Sequence, residues 1–151
     1  MSECPSIGGA APAVLPYSDL YGASVGVFFA RLFFEHYVSP ARKIKLALEQ
    51  AEVDEGEARP SDLAISKIVQ LVEEASKRAK LSAEPEISVF YGEAVVTWKC
   101  GQREVSLLSR GNQDDPKLMR YEAGQNQPSH HQVHPSATAH NLVKAIGWLY
   151  E

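Results

Sequence analysis

The sequence predicts an α+β domain: three N-terminal helices, a three- or four-stranded antiparallel meander, and a C-terminal helix. Three observations carry that expectation. Apolar residues recur every three or four positions in the segments before Leu81, which is helical spacing. Beyond Pro85 the apolar period drops to two, which is strand spacing. From Ser136 the helical period returns. Helices grouped before strands define the α+β class.

The leader, residues 1–17, carries Pro5, Pro12 and Pro16, which oppose regular structure, so it is expected to be flexible. Residues 18–151 form a single expected domain. The first helix is expected to start near Ser18 or Asp19, with Val25, Phe28, Phe29, Leu32, Phe33 and Tyr37 as its apolar residues. Ser39-Pro40 reads as a new helix start, serine as the cap and proline in the first turn. Ile44, Ala47, Leu48 and Ala51 are its narrow apolar face. Asp54 to Glu57 is an acidic connector broken by Gly56. Ser61 caps a third helix expected to reach Leu81, with Ile65, Ile68, Val69, Val72 and Ala75 facing inward.

The strands follow. Ile87, Val89 and Tyr91 alternate with Ser88 and Phe90; Ala94 to Lys99 and Arg103 to Leu108 are the next two runs. Gly92-Glu93 and Gly101-Gln102 separate them, where short hairpins favour residues that tolerate positive φ. Val89, Val96, Trp98, Val105 and Leu107 are the expected covered face. Leu118 to Glu122 is the candidate fourth strand, and Gly124 to Pro135 reads as a polar loop. Ser136 is the expected cap of the last helix, with Ala139, Leu142, Val143, Ile146 and Leu149 inward.

Composition bounds the function. With 151 residues, 44% hydrophobic and 23% charged, the chain fits one soluble domain and excludes disorder, collagen and long coiled coil. A net charge of −4 removes the overall cationic field that drives non-specific nucleic-acid binding. Arg42, Lys43 and Lys45, with Lys77, Arg78 and Lys80, are local basic groups interleaved with acids, and nucleic acid is not the expected partner. Cys4 and Cys100 form no C-x-x-C pair and read as free thiols of a reducing compartment. The first 18 residues lack Lys and Arg, and the apolar stretch Leu20 to Ala30 is too short to span a bilayer, so a cytoplasmic protein is expected.

No nucleophile elbow, phosphate loop or carboxylate pair of catalytic spacing occurs, so no catalytic residues are assigned and enzymatic activity is left open. His130, His131, His134 and His140 fall in eleven residues and are the candidate metal ligands, with zinc the candidate ion if the segment folds back on itself. The bland reading of the same stretch is a solvated polar loop. Phe28, Phe29, Phe33 and Phe34 are four of the five phenylalanines, and on a helix they spread over roughly 160° or more. Such a helix is either central to the core or meets another chain. Phe29, Phe33 and Phe34 are therefore the candidate anchors for a protein partner or a homodimer.

The stretch from Glu86 to Leu107, EISVFYGEAVVTWKCGQREVSL, followed by the helix end Trp148-Leu149, resembles small bacterial α+β proteins of unknown function. The resemblance covers about residues 61–151. It implies an accessory gene of a mobile or defence-related locus and assigns no site residues. Together these readings predict a non-enzymatic macromolecule-binding protein, an accessory or antitoxin-like inhibitor acting through the Phe-rich helix. The alternative is a metal-dependent enzyme or metal-binding module built on the histidines.

Overall fold

The computed structural model describes residues 38–81, 84–111, 115–124, 126 and 128–151. The expected leader and first helix, with Phe29, Phe33 and Phe34, lie outside the described residues.

Helix α1 spans Pro40–Gln50. Ser39 Oγ accepts the Arg42 amide at 3.2 Å, and Pro40 opens the first turn, where its missing N–H costs nothing. Ala41, Ile44 and Leu48 are its buried stripe. Helix α2 spans Asp62–Arg78, with Ser61 Oγ accepting the Ala64 amide at 3.1 Å. Ala64, Ile65, Ile68, Val72 and Ala75 are buried at i, i+3 and i+4 spacing. The helix stops three residues short of the expected Leu81, because Ala79 turns to an extended conformation at φ −152°. Lys77 and Arg78 complement the negative end of its dipole.

The sheet has five antiparallel strands in chain order: β1 Glu86–Phe90, β2 Glu93–Cys100, β3 Arg103–Ser109, β4 Lys117–Glu122 and β5 His130–His134. The expected count of three or four is corrected by β5, which forms inside the segment read as a polar loop. Its pairs with β4 run from Leu118 opposite His134 to Glu122 opposite His130. All of His130 to Val133 is exposed, so backbone pairing rather than burial holds this strand.

Alternation divides the sheet into two faces. Ala94, Val96, Trp98, Val105, Leu107 and Leu118 are buried on one, beneath the helices. Val89 is half-buried on the same face. Register resolves the adjacent Val95 and Val96: Val96 lies opposite Ile87 and Leu107 in the core, and Val95 points to the other face. Helix α3, Ala139–Leu149, closes the core with Ala139, Leu142, Ala145, Ile146 and Leu149. Its cap is Thr138, not Ser136, because the Thr138 hydroxyl accepts the Asn141 amide at 3.1 Å. Val143 of the expected inward set is only half-buried.

Two glycines are fixed by geometry. Gly101, at φ +59°, completes the expected β2–β3 turn. Gly111, at φ +74°, lies so close to the α2 cap that an added Cβ would collide with Ser61 Oγ. Cys100 is disulfide-bonded and is the single cysteine among the described residues. This corrects the free-thiol expectation for Cys100; Cys4 lies outside the described residues. No described helix is long and apolar enough to cross a membrane.

Candidate functional site

The first candidate is an aromatic pair at the β1–β2 hairpin. The turn is Tyr91-Gly92, not the expected Gly92-Glu93, because β1 ends at Phe90 and β2 begins at Glu93. Both turn residues have positive φ, +49° at Tyr91 and +78° at Gly92, as a two-residue type I′ hairpin requires. Glycine and asparagine favour that conformation; a tyrosine pays for its Cβ. Tyr91 is nevertheless there, 72% exposed, with its ring edge-on to Phe90, which is 59% exposed. Strained backbone clusters at functional sites, which makes Tyr91 a candidate contact residue.

The pair stands on the open face of the sheet, where no described helix packs. Val95, Leu108 and Met119 are half-buried on this face, and Tyr121 and Val133 are exposed. Polar links tie the strands together between them. Thr97 Oγ1 and Ser106 Oγ are 3.0 Å apart, and Lys99 donates to Glu86 at 2.8 Å. That hydrogen bond and the Glu86 charge raise the Lys99 ammonium above its ordinary value. A groove of about 300 Å³ beside β1 is lined by Val38, Pro40, Ile44, Leu81, Pro85 and Ile87. Ile87 belongs to the helix-covered face, so this groove lies across the sheet from Phe90.

The second candidate lies at the other end of the sheet. Trp148, on the last turn of α3, stands over two arginines. The guanidinium carbons of Arg103 and Arg120 are 4.9 and 5.0 Å from its ring centroid. Arg103 also donates to the Trp148 carbonyl at 2.6 Å and to Glu122 Oε1 at 3.2 Å. Arg120 donates to Gln132 Oε1. Sequence reasoning missed this group, since each member looked like an ordinary strand or helix position. Only register and the return of α3 bring them together.

The histidines are spread rather than gathered. On β5, His130 and His134 share one face and His131 takes the other. An extended chain separates residues four apart by roughly 13 Å. His140 sits exposed in the first turn of α3. No group of three histidine, cysteine or acidic side chains able to hold a metal occurs among the described residues. The basic residues Arg42, Lys43 and Lys45 on α1, and Lys77, Arg78 and Lys80 around the α2 end, are all exposed. Lys43 is 3.8 Å from Glu84 and Lys45 is 3.8 Å from Glu49. Set against known proteins, the chain matches no family model, no curated protein and no solved structure.

Proposed function

We propose that this chain acts by binding another protein, as an accessory or antitoxin-like inhibitor, and performs no chemistry on it. The observation that carries the reading is the Phe90–Tyr91 pair: two exposed aromatics, one held in a costly backbone conformation, at a hairpin tip. Aromatic anchors of this kind dominate interface energetics, because a large rigid ring loses little entropy when buried. The Phe-rich stretch with Phe29, Phe33 and Phe34, which lies outside the described residues, is the second element of the proposed surface. A protein partner is favoured over a homodimer because the pair projects from a tip, which fits a pocket better than it fits its own image.

The test is photo-crosslinking from position 91, identification of the captured chain, and affinity measurement with the purified pair. Phe90→Ser and Tyr91→Asn are expected to weaken binding ten-fold or more each, and Phe33→Asp to weaken it comparably. Binding unchanged in all three variants sinks the proposal. Light scattering of the isolated chain distinguishes a monomer from a homodimer. Cytoplasmic residence belongs to this proposal, and the Cys100 disulfide weighs against it, since such bonds persist mainly in oxidising compartments. Thiol labelling of freshly lysed cells, before and after reduction, decides the compartment.

A further inference from the structure

We propose that Arg120, Gln132 and His130, backed by Trp148, form a binding site for a phosphate-type oxyanion. The argument begins with where Arg120 stands. On β4 it lies opposite Val105 on one side and Gln132 on the other, on the face of the sheet that carries the apolar core, at the polar end it shares with Arg103 and Glu122. A cation placed there loses water on its inner side, which is costly unless a partner offsets it.

Its neighbour Arg103 has such partners. The Glu122 carboxylate and the Trp148 carbonyl, at the negative end of α3, both accept from it. Arg120 has only the neutral Gln132 oxygen and the Trp148 ring. Its Nε is buried without a hydrogen-bond partner. No carboxylate pairs with it among the described residues. The result is one uncompensated guanidinium beside a neutralised one.

The same guanidinium is pre-organised. The Trp148 ring, 5.0 Å from its guanidinium carbon, and the bond to Gln132 restrain it, so a ligand need not supply all of that ordering entropy. A planar fork of N–H donors matches the oxygen spacing of a phosphate. The cavity at this point measures about 300 Å³ and opens at the β5 edge, where His130, His131 and Gln132 line it with further donors. Glu122 also lines it, and its charge opposes an anion, but Arg103 engages that carboxylate at 3.2 Å. The balance therefore stays positive.

Calorimetric titration of the full chain with inorganic phosphate, at constant ionic strength, tests the site. Phosphoserine and acetate serve as parallel probes. Saturable phosphate binding is expected, with affinity at least ten-fold above acetate. Arg120→Gln is expected to lower it ten-fold or more, Arg120→Lys by less, because a point charge replaces a fork. Glu122→Gln removes the opposing charge and is expected to raise affinity several-fold, which a merely structural role for these residues does not produce. Phosphoserine binding more tightly than inorganic phosphate identifies a phosphorylated side chain as the source of the ligand; equal binding identifies the free anion. No saturable heat with either phosphate probe, or equal binding by folded Arg120→Gln, overturns the proposal.

Discussion

Replacing Tyr91 with asparagine separates the cost of the hairpin tip from its contacts. The backbone at Tyr91 has φ +49°, a region that asparagine occupies several-fold more often than other non-glycine residues. A several-fold preference corresponds to roughly 0.6–1 kcal/mol. Against this stands the ring contact with Phe90, worth about 0.5 kcal/mol at an exposed site. Little burial is lost, since Tyr91 is 72% exposed. Tyr91→Asn in the native background is therefore expected to change stability by less than about 0.5 kcal/mol. In a Phe90→Ser background the ring contact is already gone, and the same substitution is expected to stabilise by roughly 0.6–1 kcal/mol. Urea unfolding of the four proteins measures both, with an unchanged m-value showing that only the native state has moved. A loss above about 1 kcal/mol in both backgrounds would refute the reasoning, because Tyr91 would then be a packing residue rather than a strained contact residue.

Four further outcomes follow from the packing and the chemistry. Gly111→Ala is expected to destabilise by at least about 2 kcal/mol in the same assay, combining overpacking against Ser61 with an unfavourable φ of +74°. Burial holds the Tyr150 phenol above its ordinary pKa of 10.0, so it contributes stability below that value which is lost as pH rises through its folded pKa. Spectrophotometric titration of the native chain against Tyr150→Phe should assign a late-ionising phenol to Tyr150, and this variant, which removes a buried hydroxyl lacking a partner, should be more stable by about 1 kcal/mol. Zinc at two equivalents is expected to leave the melting temperature unchanged if the histidines stay spread over the two faces of β5; stabilisation that His130→Ala abolishes would support the metal reading. Cys100→Ser is expected to lower the melting temperature under non-reducing conditions and to match the reduced native protein otherwise.

The elements legible in the sequence were those whose signal is local. Ser39 and Ser61 cap their helices as the cap-plus-proline and cap-plus-acid patterns indicate, and the stripe from Ile65 to Ala75 is buried as its spacing requires. Alternation marks the covered face from Val96 to Leu107, and strand register decides between the adjacent Val95 and Val96. Strand β5 was illegible because HHQVH offers one apolar residue and buries none of its first four side chains. Its stability comes from a neighbour's backbone, which no hydrophobic pattern encodes. The β1–β2 turn lies one residue earlier than turn chemistry indicates, for a related reason: glycine preference points to Gly92 as the first positive-φ residue, whereas Tyr91 holds that position. The arginine–tryptophan group depends on residues between 17 and 45 positions apart in the chain, and arises only when β3, β4 and α3 are in register.

Strand order also shapes how the chain reaches this state. Each strand pairs with the one next to it in sequence, and β1–β2 and β2–β3 are joined by two residues each. Such hairpins close on a timescale of about 1–10 μs. The meander can therefore assemble by successive nearest-neighbour zipping, with little loop entropy spent at any step. The longest-range closure is that of α3, which returns across the sheet to meet α2. Truncation before Ala139 should accordingly leave a collapsed, strand-rich species that forms quickly and exposes Val105, Leu107 and Leu118 to solvent.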